Sequence, residues 1–304
     1  MTKPVLLVTR QLPEAVADRA QREFDVRLNQ PDLQWAPDEI VALAQGCDAI
    51  LCFSTDRLNA QTIAALPASV KAIATCSVGY DHVDVAAARA RSIPVANTPE
   101  VLSVATAEIA MLLILMSARR AGEGERLVRS GQWKGWAPML LLGTQISGKR
   151  LGIFGMAIHY RNRTRLPEDL EQGATWHAND ESFLASCDAL ALTAPGGDGT
   201  AKWLNAERLA MLPRGAIVAN AARGSLVDDA ALQEALRSGQ VAFAGLDVYD
   251  GEPNLHQGYF GLENVVLLPH MGSSTTETRA AMGDLCLDAI TAVLAGNEPW
   301  NLIR

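Results

Sequence analysis

The chain has little of what marks several protein classes. Among 304 residues only five are cysteine, Cys47, Cys52, Cys76, Cys187 and Cys286. They are odd in number, scattered and without CxxC spacing, which excludes a disulfide framework or a cysteine zinc site and suits a reducing compartment. Lysine and arginine form no runs, and the net charge is −8, so a nucleic-acid surface that would displace phosphate counterions is excluded. The apolar run at residues 110–116 is far below membrane-spanning length, and the one near the start is too short for a signal peptide. The expected setting is therefore cytoplasmic, with neither membrane nor nucleic acid as partner. Five histidines include no HExxH or paired-ligand spacing, so no metal is expected. Short-period repeats and low-complexity segments are also missing.

What is present is core-forming material, 49% hydrophobic against 20% charged, at a length that suits about two domains. Short aliphatic runs (PVLLVTR, DVRL, DAILCF, VKAIATC) alternate with amphipathic stretches at residues 14–24, 38–44 and 60–66, a pattern that predicts a parallel sheet covered by helices. PVANTP, residues 94–99, reads as the last strand of this unit. A helix over residues 101–119 leaves it and ends in a basic turn. The Trp- and Gly-rich segment 130–148 has no period and reads as an exposed arm with a partner surface. A second α/β series follows, with strands at RLGIF, DALALTAP, AIVANAA, AFAGLDVY and NVVLLPH and helices near 207–212 and 228–238. The closing helix, 275–294, returns to the first unit.

Three polar residues each follow one of these strands, where open α/β sheets hold ligands. Arg223, in NAARGSLVDD, offers a planar fork of donors suited to a carboxylate and carbonyl, although an isolated arginine there is more often a surface ion pair. Glu252, in GLDVYDGEP, and His270, in PHMGSS, could pair so that the carboxylate orients the imidazole and favours its charged form, giving a general acid. Taken singly, each would be a solvated loop carboxylate and a structural histidine.

The ordered set NAARG, GLDVYDGEP and PHMGS resembles the D-isomer-specific 2-hydroxyacid dehydrogenases over nearly the whole chain, with the glyoxylate/hydroxypyruvate reductases as the most similar branch. The resemblance implies a flavodoxin-like substrate domain (1–98 plus 276–304) and a Rossmann-like parallel-sheet cofactor domain (99–275) with a dimerisation arm (119–148). Arg223 would anchor the substrate, His270 act as acid/base and Glu252 be its partner, while backbone N–H groups of Val78 and Gly79 would hold the substrate carboxylate. Trp136 would reach a neighbouring subunit in a homodimer. Cofactor contacts would come from Thr106, Gly155, Ala194, Pro195, Ala222, Asp247 (toward the nicotinamide amide) and Gly272. Asn162, standing where an NAD-preferring fold has an acidic residue, with Arg163 and Arg165 after it, points to NADP(H) over NAD(H).

One motif departs from the family. Where strand, GxGxxG, helix and next strand are due, the chain runs RLGIFGMAIHYRNRTR, with Gly155 alone left of the fingerprint. A parallel crossover needs roughly a dozen residues. Residues 151–161 are therefore expected to form one long strand, or a strand with a displaced continuation, without the first helix and with one sheet face partly uncovered. Loss of that helix N-terminus should weaken nucleotide binding. Two functions stay open: NADPH-preferring reduction of a small 2-oxo acid, or a dimeric relative that no longer holds nucleotide.

Overall fold

The computed structural model describes residues 2–154 and 159–304. They divide into two units, residues 1–105 with 273–304, and residues 106–272. In the first, β1 (Val5–Val8), α1 (Glu14–Glu23), β2 (Asp25–Leu28), α2 (Pro37–Leu43), β3 (Ala49–Cys52), α3 (Ala60–Ala65), β4 (Ala72–Thr75), α4 (Val85–Ala90) and β5 (Val95–Ala96) alternate. The strands pair in parallel in the order β2-β1-β3-β4-β5, the flavodoxin-like arrangement. Successive strand residues point to opposite faces. Leu7, Ile50 and Ile73 therefore meet Ile40, Ile63 and Ala88 on one side. Leu6, Val8, Leu51 and Ala74 meet Val16, Ala20, Cys286 and Ile290 on the other. Coverage of both faces explains why these strands read as unbroken apolar runs.

A long helix, α5 (Ser103–Ala118), runs across the division, and α6 (Ala121–Arg129) follows within the segment expected to be an arm. The second unit then contains β6 (Leu151–Phe154), β7 (His159–Tyr160), α7 (Glu168–Glu171), β8 (Thr175–Trp176), α8 (Asp180–Ala185), β9 (Ala189–Leu192), α9 (Ala206–Met211), β10 (Ala216–Asn220), α10 (Asp229–Ser238), β11 (Val241–Leu246) and β12 (Val265–Leu267). The last helix, α11 (Thr276–Leu294), packs in the first unit. Seven strands pair in parallel, in the order β12-β11-β10-β9-β6-β7-β8. Counted from β6, this is the doubly wound order, whose direction reverses between β6 and β9. Ala110, Leu113 and Ile114 of α5 pack on Ala189, Ala191, Ile217 and Ala219. Asn205 and Asp228 cap the starts of α9 and α10 by accepting the Arg208 and Ala231 N–H groups.

Residues 151–161 do not form the single strand that one sequence expectation gave. β6 and β7 lie side by side in parallel, Gly152 beside His159 and Ile153 beside Tyr160; the expectation for the turn itself, residues 155–158 with Gly155, falls outside the described residues. The folded-back course has a physical reason. A continuous strand would carry Tyr160 beyond the sheet into water, whereas here its ring is fully buried. Its hydroxyl donates to Glu171 Oε1 at 2.5 Å and accepts from the Leu166 N–H at 2.9 Å. The face expected to be uncovered is thus closed over Tyr160 by residues 165–171, while Leu151 and Ile153 are partly buried against the α5 cluster.

Candidate active site

Asn220, Leu246 and Leu267 stand in register at the ends of β10, β11 and β12. The chain leaving each strand carries one of the three candidate residues. After β10, the Asn220 side chain accepts from Ala222 N–H (3.1 Å) and donates to the Arg223 carbonyl (2.9 Å), closing the turn that presents Arg223. Gly224 follows in a 3-10 turn and touches the next loop so closely that a Cβ would lie 1.8 Å from the Tyr249 carbonyl carbon. That loop holds Glu252, whose Oε1 accepts the Tyr249 N–H at 2.8 Å. The Tyr249 hydroxyl shares its one proton between the Leu246 and Leu268 carbonyls (3.0 and 2.8 Å), tying the ends of β11 and β12 together.

His270 occupies the left-handed region, φ 55°, which is uncommon for a residue with a side chain. Asp247 stabilises this turn. Its carbonyl accepts the His270 N–H at 2.8 Å, and its carboxylate accepts the Met271 and Gly272 N–H groups, each at 2.7 Å. Expected to meet a nicotinamide amide, Asp247 is fully buried and both of its oxygens already accept. Burial pushes its carboxyl above the usual range, against the two N–H donors. Thr106 donates to the Gly272 carbonyl at 3.2 Å, on the far side of the same turn.

Glu252 and His270 meet at 2.7 Å, Oε2 to Nδ1. Partial burial pushes the Glu252 carboxyl up. The hydrogen bonds from His270 and Tyr249 N–H, and the charges of His270 and Arg223, outweigh this, so its net shift is below the ordinary value of 4.5. An ionised carboxylate can only accept, so Nδ1 carries a proton and Nε2 is the ring atom left for a ligand. The three candidates from the sequence therefore belong to one polar group. Asn220, Tyr249 and the internal work of Asp247 had no signal in the sequence, since their partners are backbone groups that only the strand register brings near.

Nucleotide-side candidates divide. Ala194 and Pro195 follow β9 at the point where strand order reverses, and Gly196 lies against Arg223, a Cβ there falling 3.0 Å from Arg223 Cγ. With Ala222 and Gly272 these small residues suit a flat ring at the strand ends. The pyrophosphate end is different, because only residues 155–158 join β6 to β7 and they contain neither the second and third glycines nor a helix's length. The small residues at the strand ends thus suit the nicotinamide end of a dinucleotide, while the place of the fingerprint, residues 155–158, lies outside the described residues. Past β7, Arg165 grips Glu171 with two hydrogen bonds (2.7 and 2.8 Å). Arg161 holds Asp180 at 3.2 Å, and Arg163 is exposed beside Asn162. Of the two arginines expected to draw a 2′-phosphate, one is already committed to a carboxylate. Among the described residues no cluster suits a metal ion, and no helix is long and apolar enough to cross a membrane.

The family model for the D-isomer specific 2-hydroxyacid dehydrogenase catalytic domain matches residues 6–304. The chain belongs to the D-isomer-specific 2-hydroxyacid dehydrogenase family. A glycerate dehydrogenase of Hyphomicrobium methylovorum is 39% identical over 98% of each chain. That alignment spans 316 positions, more than the 304 residues here, so the relative carries residues with no counterpart in this dehydrogenase. A solved structure from Polaromonas sp. JS6 66 superposes with a TM-score of 0.94 at 43% identity, covering all of both chains. The NADPH-dependent glyoxylate/hydroxypyruvate reductase of Sinorhizobium meliloti, solved with NADP and malonate, gives 0.87 at 31% identity over 99% of this chain and 97% of its own. The chain is thus an enzyme of an NAD(P)-dependent family, with the parallel α/β architecture of these structures.

Proposed function

We propose that this chain acts on a small 2-oxo acid such as glyoxylate or hydroxypyruvate, in the direction that yields the D-2-hydroxy acid, and prefers NADPH as reductant. The observation that carries the substrate side is the 2.7 Å contact between Glu252 and His270 with Arg223 close enough to bias Glu252 electrostatically. Arg223 takes the substrate's carboxylate and carbonyl oxygen through its planar fork. Glu252 holds Nδ1, so a doubly protonated His270 gives the Nε2 proton to the carbonyl oxygen as it gains negative charge. Backbone N–H groups of Val78 and Gly79 take the carboxylate. NADPH preference rests on Asn162, where an acidic side chain would repel a 2′-phosphate, and on Arg163, with Arg165 held back by Glu171.

Homodimerisation is part of the proposal. Met111, Leu112 and Leu115 form an exposed apolar stripe on α5, at 42, 43 and 45% exposure, and Trp136 in the arm is 83% exposed. Monomers rarely leave a stripe of large apolar groups such as that on α5 in water. A cytoplasmic location accords with five unpaired cysteines.

A second reading is favoured by one observation, the four-residue link where a phosphate cradle belongs: a dimeric relative with an intact acid–base group and impaired nucleotide binding. Fluorescence titration with NADPH and NADH, together with glyoxylate reduction by wild type and His270→Ala, separates the two. Reduction that His270→Ala abolishes supports the first. A folded protein that binds neither nucleotide supports the second, and equal rates in wild type and His270→Ala remove His270 as the acid.

A further inference from the structure

The loop after β4 shows how its N–H groups are aimed. All peptides here are trans, since the single cis bond among the described residues is Glu252–Pro253. In a trans peptide the C=O and the following N–H point opposite ways. The Ser77 carbonyl accepts the Thr98 N–H at 3.0 Å, and the Val78 carbonyl accepts Asn97 Nδ2 at 2.8 Å. Both carbonyls thus turn toward residues 97–98, and the Val78 and Gly79 N–H groups turn away from them. Among the described residues neither N–H has an acceptor.

The Gly79 carbonyl is held from within, accepting the Ser77 hydroxyl at 2.7 Å. A carbonyl cannot donate, so the Ser77 proton is spent there. Thr75 must then donate across its 2.8 Å contact with Ser77, and in turn accepts from His82 Nε2 at 2.8 Å. The order of protons is fixed from His82 through Thr75 and Ser77 to Gly79. Thr75 is fully buried and Ser77 nearly so, and so water cannot readily replace either hydroxyl.

We infer that Asn97 and the His82–Thr75–Ser77 chain are positioning residues that aim the Val78 and Gly79 N–H groups at the substrate carboxylate. This rests on the reading that those two N–H groups take that carboxylate. Asn97 sets one peptide plane directly, while the hydroxyl chain prevents the loop from rotating about Gly79. The N–H pair is therefore preorganised before substrate arrives, which saves the cost of ordering it on binding.

Malonate, titrated calorimetrically and followed by the Val78 and Gly79 amide resonances, tests this without turnover. Asn97→Leu and Thr75→Val should each weaken malonate roughly three- to tenfold, the worth of about one hydrogen bond, and reduce the amide shifts. Thr75→Ser, which keeps the hydroxyl, should bind as wild type does; a merely structural Thr75 would give no such rescue. Unchanged malonate affinity in folded Asn97→Leu and Thr75→Val, with Arg223→Ala weakened, overturns the inference and leaves the substrate reading intact. Wild-type protein that binds no malonate, or binds it with the two amides unmoved, overturns the reading and the inference with it.

Discussion

Gly224→Ala probes the site without touching any polar group. Gly224 is buried where the turn bearing Arg223 crosses the loop bearing Glu252, and an added methyl would sit 1.8 Å from the Tyr249 carbonyl carbon and 2.1 Å from the Asp250 nitrogen. Both neighbours are backbone, which cannot rotate aside as a side chain can. The two segments must separate by more than about 1 Å before the contact becomes tolerable. Overpacking of this kind costs about 1–3 kcal/mol, which at roughly 2–4 °C per kcal/mol for a unit of this size lowers Tm by roughly 2–12 °C. The same displacement moves Arg223 relative to Glu252 and His270, and a misplacement near 1 Å costs about 100-fold in kcat/KM. Differential scanning calorimetry and malonate titration read the two effects. Gly199→Ala is the control, because nothing lies within 4 Å of the methyl it adds. A Gly224→Ala protein with wild-type Tm would refute the packing argument. One with lowered Tm but full malonate affinity and turnover would refute the claim that this crossing sets the site's geometry.

Glu252→Gln keeps the shape of the contact with His270 but removes the charge that holds Nδ1, so 2-oxo acid reduction should fall about 10²–10⁴-fold; turnover at the wild-type rate would remove Glu252 from the reaction. Glu171 is held down to about 2, from 4.5, by the Arg165 and Tyr160 hydrogen bonds. A depressed carboxyl contributes stability above its unfolded value that is lost on acidification. Protection of the Leu166 amide, which donates to Tyr160, should therefore decay as pH falls from 4.5 toward 2, and flat exchange over that window would contradict the network. Leu112→Arg places a charge on the exposed α5 stripe and should convert a dimer to monomer by light scattering, whereas an unchanged mass would move the interface elsewhere.

Much of the architecture could be read from the chain because parallel strands buried on both faces must be continuously apolar. Residues such as Leu6, Leu7, Ile50 and Leu51 announce that without any knowledge of their neighbours. The short α4, α7 and α8 carried less signal. Residues 121–129 form a helix inside the arm, 119–148, that the family resemblance implies. Hidden also was the return of β7 beside β6, because nothing local says that Tyr160 will find Glu171.

By itself, the order of residues determined the alternation of strand and helix, the placing of Arg223, Glu252 and His270 after successive strands, and the shortness of the link between Phe154 and His159. These are properties of spacing and side-chain type. Tertiary structure alone decided that Glu252 reaches His270, that Asp247 spends its carboxylate on backbone, that Arg165 is claimed by Glu171, and that Asn97 aims the Val78 peptide. Each depends on a hydrogen bond only a few ångströms long between groups on separate segments, and strand register, which no local pattern encodes, fixes where those segments meet.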